Sequence, residues 1–148
     1  MVYAQGAKEP TKLDLKITAS AQTNPDDTGR PSPVKVRLYE LKDSNSFSEA
    51  DYFSLNTADK ATLGSDLLVR DEFILRPGES KYLQRRSHPQ TTAIGILAGY
   101  RDLNSTWRHV HALPEAPEAA WYRWALPGNK AALTIQLEPQ GLVVKPTP

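Results

Sequence analysis

Asn24-Pro25-Asp26-Asp27-Thr28-Gly29-Arg30-Pro31-Ser32-Pro33, followed directly by Val34-Lys35-Val36-Arg37-Leu38-Tyr39-Glu40-Leu41, decides how this chain folds. Pro25, Pro31 and Pro33 remove backbone donors and fix φ, and each pushes the residue before it out of the helical region. The first half is therefore a loop. The second half alternates. Val34, Val36 and Leu38 point one way and Lys35, Arg37 and Tyr39 the other, the period of a strand with one buried face and one solvated face. Hairpin loops usually hold about two to five residues, and this one is longer. Closure entropy alone would tolerate such an insertion. A merely tolerated insertion has no use for three prolines, whereas stiffness lowers the ordering cost of binding. The loop reads as a recognition surface held out on a strand.

The flanks extend the strand pattern. Leu13 to Ala21 alternates Leu13, Leu15, Ile17, Ala19 and Ala21 against Asp14, Lys16, Thr18 and Ser20, a first strand. After Leu41, Ser46 and Glu49 have the spacing of a capping box. Phe47, Ala50 and Phe53 share one helical face, and a second short helix spans Thr57 to Leu63 and ends at Gly64. This insert is expected to cover one edge or side of the sheet structure. Leu67 to Leu75 is a strand with Leu67, Val69, Phe73 and Leu75 on one face, interrupted by Asp71. Arg76-Pro77-Gly78-Glu79 has the signature of a type II turn, and Ser80 to Arg85 returns as a strand. Thr91 to Tyr100 is the most apolar strand, where Gly95 and Gly99 signal close approach of another backbone or ring. Trp107 to Leu113, Ala131 to Leu137 and Leu142 to Lys145 complete the set, the last two joined by a turn at Pro139-Gln140-Gly141. About eight short strands with one helical insert argue a mainly β protein, a β-sandwich. The expected layout is a flexible tether over 1–12, one sandwich domain over 13–145 and a tail over 146–148.

Composition bounds the function. The chain of 148 residues carries 18 basic and 17 acidic side chains, net +1, and lacks the basic field of a nucleic-acid binder. It has no cysteine, which excludes disulfides, thiolate metal sites and a thiol nucleophile within it. No apolar run approaches the roughly 18 residues of a membrane span.

The chemical candidates are thin. His109 and His111, two apart in a strand, leave one face together and could chelate a metal, but nothing local beyond Glu115 and Glu118 completes a site. The plainer reading is two polar residues on a solvated face. No Gly-x-Ser-x-Gly elbow or Gly-rich phosphate loop occurs, so neither an enzyme nor a cofactor is expected. Arg85 and Arg86, with Lys81 and Arg76, make a modest basic cluster that reads as solvated surface. Trp121, Tyr122 and Trp124 are either core or an aromatic anchor. The anchor leaves open an alternative function as a small-ligand or glycan-binding sandwich.

Several stretches, taken in order, resemble one family. They are Asn24 with Arg30-Pro31-Ser32-Pro33-Val34-Lys35-Val36-Arg37-Leu38-Tyr39-Glu40-Leu41; Phe47 with Ala50-Asp51-Tyr52-Phe53; Leu63-Gly64-Ser65-Asp66-Leu67-Leu68; Leu75-Arg76-Pro77-Gly78-Glu79; and Ala98-Gly99-Tyr100-Arg101-Asp102-Leu103 with Trp107-Arg108. Spanning about Leu13 to Val144, they resemble the type VI secretion outer-membrane lipoproteins, TssJ (also SciN or VasD). The resemblance implies a transthyretin-like sandwich on the periplasmic face of the outer membrane. It implies a non-enzymatic adaptor that binds the periplasmic C-terminal region of TssM and, through it, TssL. It also implies a lipid anchor on an N-terminal cysteine. That cysteine is missing here, and the expectation is that the chain starts just after it, with Met1 and Val2 in place of native residues. In the family the loop between the first two strands contacts TssM, which corresponds to Asn24 to Pro33.

Geometry adds to this. In an antiparallel sandwich the loops after strands one, three and five gather at one end. The expected partner surface is therefore Asn24, Pro25, Asp26, Asp27, Thr28, Gly29, Arg30 and Pro31, joined by Arg76, Arg101 and Asp102. Asp26, Asp27 and Arg30 would supply charge complementarity.

Overall fold

Leu13, Leu15 and Ile17 alternate with Asp14, Lys16 and Thr18, and the backbone follows that period into the first of eight strands. The computed structural model describes residues 10–114 and 130–147. Among them the strands are β1 (Lys12–Ala19), β2 (Val34–Leu41), β3 (Leu67–Leu75), β4 (Ser80–Arg86), β5 (Ala93–Ala98), β6 (Arg108–Ala112), β7 (Lys130–Glu138) and β8 (Gly141–Pro146). Helices α1 (Asn45–Glu49) and α2 (Tyr52–Leu63) lie between β2 and β3. One sheet has the order β4-β1-β7-β8 and the other β3-β2-β5-β6.

The two sheets face each other across an apolar core. Leu13, Leu15 and Ile17 of β1 and Leu133, Ile135 and Leu137 of β7 meet Val34, Val36 and Leu38 of β2 and Ile94, Ile96 and Ala98 of β5. Each fully buried side chain of this kind is worth about 1.5–3 kcal/mol relative to exposure. The sandwich is not wholly antiparallel. β1 pairs in parallel with β7 from Lys12↔Lys130 to Ala19↔Leu137. The short periodic segments could not show this, because alternation fixes which face a strand buries and not which neighbour it takes.

β2 departs from the expected half-buried strand. Arg37 and Tyr39, read as solvated, are 6% and 0% exposed. The helical insert lies over them and forms a second core of Tyr39, Leu41, Phe47, Leu55, Leu63 and Leu97. Gly95 and Gly99 explain how it fits so closely. A Cβ at Gly95 would stand 3.0 Å from the Phe47 ring, and one at Gly99 would stand 3.2 Å from the Tyr52 hydroxyl. The close approach expected of these glycines is thus to the insert's rings.

The insert is built differently from its sequence reading. Ser46 does not cap; its hydroxyl donates to Asp66 Oδ2 at 2.9 Å. The chain leaves the helix at Ala50, which is extended (ψ 149), and restarts at Asp51, whose carboxylate accepts from Ser54 N–H at 2.6 Å. That break turns Phe53 away from Phe47, so Phe53 is 63% exposed. The second helix thus begins at Tyr52 rather than Thr57, and it is kinked at Ala58. It ends at Gly64, as expected.

Two charge clusters lock the layers together. On the outer face of β2, Asp59 of α2 accepts from Tyr39 Oη (3.0 Å) and Arg70 Nε (2.7 Å), and lies 3.4 Å from Arg37 Nη1. Arg37 also donates to the Leu55 and Asn56 carbonyls and to Glu72. Between the sheets, Arg85 of β4 reaches Glu40 of β2 (2.8 Å) and Asp71 of β3 (2.6 Å). Glu40, 1% exposed, further accepts from His88 N–H and Thr91 Oγ1. Asp71 therefore interrupts the apolar face of β3 in order to meet Arg85. Arg85 leaves the supposed solvated basic cluster for the same contact.

Some boundaries shift. β1 stops at Ala19 because the chain turns, with Thr23 N–H donating to the Ser20 carbonyl. Thr11, placed in the tether by its sequence, is 4% exposed and exchanges hydrogen bonds with Ser87. At the other end, Thr147 N–H donates to the Ala132 carbonyl, so the last described residue still pairs with the sheet.

Burial opposes the Asp59 charge, but the Tyr39 hydroxyl, Arg70 and Arg37 outweigh it and hold its carboxyl below the usual value of 3.8. A depressed folded-state pKa supplies stability above the unfolded value that is lost as pH falls through the folded one. Asp59→Asn should cost about 3 kcal/mol at neutral pH, because it leaves the buried Arg37 guanidinium, and the partly exposed one of Arg70, short of a partner. It should also flatten the fall in melting temperature on acidification below pH 4, as read by thermal denaturation across pH. A neutral-pH melting temperature equal to that of the parent would contradict this.

Candidate docking surface at the loop end

The strand directions set which loops meet. β1, β3, β5 and β7 all finish at the same end of the sandwich. The expected loops after β1, β3 and β5 lie there, together with the β7–β8 turn. A cleft at this end is lined by Asn24, Pro25, Asp26 and Asp27, by Tyr100, Arg101, Asp102, Asn104, Ser105 and Thr106, and by Pro139 and Gln140. The loop expected after the fifth strand, 101–105, already holds Arg101, Asp102, Asn104 and Ser105, whereas sequence reasoning misses Tyr100, Thr106, Pro139 and Gln140. The same odd-strand rule that picked the first three loops, carried one pair further, would have found the β7–β8 turn.

The β1–β2 loop stands out from the body and is internally tied. Asp26 Oδ1 accepts from Thr28 N–H (2.9 Å), Thr28 Oγ1 (2.7 Å) and Arg30 N–H (2.9 Å). Its own N–H donates to the Arg30 carbonyl, and Gly29 N–H donates back to the Asp26 carbonyl. The Thr28 hydroxyl and the Arg30 N–H hold the Asp26 carboxyl below its ordinary range. Asp27, Thr28, Gly29, Arg30 and Pro31 are exposed around this closed turn. The prolines are thus only part of its stiffness.

Contacts join it to its neighbours. Asn24 Oδ1 accepts from Arg101 N–H at 2.8 Å, and Arg101 Nη2 lies 4.0 Å from Asp27 Oδ1. Tyr100 Oη donates to the Glu138 carbonyl at 2.9 Å, and burial pushes its pKa up to about 12. Gly141 and Thr106 form a parallel bridge, with Thr106 N–H donating to Gln140 O and Leu142 N–H to Thr106 O. The β3–β4 turn is fastened to the end of β1, with Ala19 N–H donating to Glu79 O and Gly78 N–H to Ala19 O. Gly78 has φ 84, as a type II turn requires. Arg76 is exposed on that turn but does not line the cleft.

Residues 11–140 match the family model of the type VI secretion lipoproteins, which include VasD, EvfM and TssJ. The chain belongs to the type VI secretion lipoprotein family. Among solved structures it is similar to the type VI lipoprotein TssJ1 from Pseudomonas aeruginosa, with 37% identity and a TM-score of 0.81 over 94% of this chain and 98% of that one. It is similar to Lip of Serratia marcescens, a membrane-bound component of the type VI secretion system, with 33% identity and a TM-score of 0.82 over 92% and 98%. It is also similar to a chain in the structure of the TssM C-terminal domain (869–1107) from EAEC, with 26% identity and a TM-score of 0.72 over 92% and 98%. No curated protein matches. The expected family and the β-sandwich both hold.

The remaining candidates of this type VI lipoprotein stand elsewhere. His109 and His111 pair with Ile96 and Ile94, so they share the face that carries the inter-sheet core rather than a solvated one. Burial lowers both pKa values, and for His109 the neighbouring His111 adds to it. Among the described residues no group of three or more His, Asp or Glu could hold a metal ion. Arg108 donates to the Phe47 and Ala50 carbonyls and stacks on Trp107 at 4.5 Å, which anchors α1 to β6. Glu115, Glu118, Trp121, Tyr122 and Trp124 lie outside the described residues.

Gly141 carries the join between the β7–β8 turn and Thr106. Its φ is 143, and a Cβ there would lie 2.5 Å from Thr106 N. Backbone cannot yield as a side-chain tip can. Gly141→Ala should therefore lower stability by about 2–3 kcal/mol, well beyond Gly29→Ala, which meets open space at φ 82 and should cost about 1 kcal/mol. Paired denaturant melts compare them, and equal costs would count against a closely packed turn.

Proposed function

We propose that this lipoprotein is a structural adaptor of the type VI secretion membrane complex, binding the periplasmic C-terminal region of TssM through the loop end of its sandwich. TssL would be reached through TssM. A lipid on an N-terminal cysteine upstream of this chain would hold the domain at the periplasmic face of the outer membrane, as one lipid signal plus a protein contact can. The role is non-enzymatic.

One observation carries the reading. The β1–β2 loop is exposed, closed on itself by Asp26 and tied to the β5–β6 loop, so a partner would meet a stiffened surface that costs little to order. Asp26, Asp27, Thr28, Gly29, Arg30 and Pro31 form its outer part, with Asn24, Pro25, Arg101 and Asp102 at the cleft and Arg76 at the margin. Two comparisons support the partner. A chain of the Type VI membrane complex is similar at 27% identity and a TM-score of 0.75, over 93% of this chain and 99% of that one. The matching chain in the TssM structure is almost wholly covered by this one, so it is shorter than the 869–1107 span and suits a companion of the TssM domain.

Deleting Asp26–Arg30 should weaken binding of the TssM periplasmic region by about a hundredfold or more, as loss of a hot-spot cluster does. The cooperative melt should survive, because these residues cover no core. Affinity unchanged in a folded deletion variant, measured by calorimetry, would remove the loop from the interface.

A further inference from the structure

Asn24 is an unusual member of that surface. It is 3% exposed, while Pro25 beside it and Asp27 beyond are exposed. Its amide nitrogen donates to the Pro33 carbonyl at 2.9 Å and closes the base of the β1–β2 loop. Its amide oxygen accepts from Arg101 N–H at 2.8 Å and joins that base to the β5–β6 loop. The ion pair between these loops, Arg101 to Asp27, spans 4.0 Å between side chains that are 53% and 101% exposed. An ion pair so wet contributes little.

The position selects for asparagine on three counts. Its φ is 49, and it is the one non-glycine residue with positive φ among the described residues. Asparagine tolerates that region better than most side chains. One donor and one acceptor are needed on a single short amide. Aspartate lacks the donor, and glutamine sets the amide one carbon further out.

We propose that Asn24 is a positioning residue rather than a contact: it couples the two loops into one pre-set docking surface. The proposal rests on the loop-end reading above and deepens it. Without Asn24 the β1–β2 loop keeps its inner turn at Asp26 but swings independently of Arg101 and Asp102. The partner must then select the joined arrangement from several, and apparent affinity falls by the fraction of molecules already in it.

Asn24→Gly isolates the effect, since glycine keeps the positive φ and loses both hydrogen bonds. The expected result is about tenfold weaker binding of the TssM periplasmic region by calorimetry, with a cooperative melt. Hydrogen exchange should show the Arg101 amide losing its protection in the glycine variant and keeping it in Asn24→Asp, while the amides of the β2 strand stay protected in both, a local loss that general destabilisation would not produce. Asn24→Asp keeps the acceptor for Arg101 and should bind nearer to the parent than the glycine variant. It also serves if the glycine variant does not fold. Unchanged affinity in Asn24→Gly, or an aspartate variant that protects Arg101 yet binds tenfold more weakly, would overturn the coupling. The Asp26–Arg30 deletion separates the two readings. If it too binds normally, the loop-end interface fails; if it alone binds weakly, only the role of Asn24 fails.

Discussion

Burial of β2 on both faces is the constraint on which the rest of the structure depends. A strand in a sandwich normally shows one face to water. Here Val34, Val36 and Leu38 close the inter-sheet core, while Tyr39 and Leu41 close a second core under the helices. The second core has room only because Gly95 of β5 and Gly99 just beyond it lie beneath the insert. It tolerates a guanidinium only because Arg37 is met by Asp59, Glu72 and the free carbonyls of Leu55 and Asn56. A buried charge left without such partners would cost several kcal/mol. β2 is therefore held from every side, and Pro33, the last residue of the loop, leaves directly from its fixed first residue.

The two ends of the sandwich are finished in opposite ways. At the end where β1 starts, Arg85 crosses between the sheets to Glu40 and Asp71, and Ser87 and Thr91 fill in the loop behind it. Its polar groups are spent on one another. At the end where β1 finishes, the polar groups of the loops face outward. Asp26 is engaged locally, yet Asp27, Thr28, Arg30 and Asp102 keep open donors and acceptors in water. Polar groups are paired internally at one end and left facing water at the other, the end proposed for docking.

How much of this could be read from the residues depends on whether the signal was local. β2 and β3 were legible to the residue, because their apolar alternation runs the length of each strand, with Asp71 its single interruption. The Gly95–Gly99 pair announced a close neighbour, though not which one. The capping box failed because α1 starts at Asn45, with Ser44 at the N-cap position, so Ser46 lies inside the helix and its hydroxyl goes to Asp66, twenty residues away. Arg37 and Tyr39 were misread as solvated because a polar side chain on an alternating strand looks the same under a helix as under water. The parallel pairing of β1 with β7 is a property of the whole topology and leaves no mark on either strand. At the loop end, the prolines pointed to the β1–β2 loop and the Asp26 ties are local to it, but the tie through Asn24 could be seen only once Arg101 was placed beside it.

Charge gives the final reason why stiffness matters here. With 18 basic and 17 acidic side chains the protein has almost no net field, so long-range steering, which can raise association rates by orders of magnitude, contributes little. The loop end itself alternates sign from Asp26 and Asp27 through Arg30 to Arg101 and Asp102. Such a surface attracts no partner from a distance and discriminates only at contact, where each donor and acceptor must already stand opposite its counterpart. An unfixed loop would then lose in ordering what its few exposed polar groups could gain, because each immobilised side chain costs about 0.5–1.5 kcal/mol. The closed Asp26 turn, the three prolines and the buried Asn24 bridge lower that ordering cost, which is what the proposed docking of a neutral surface requires.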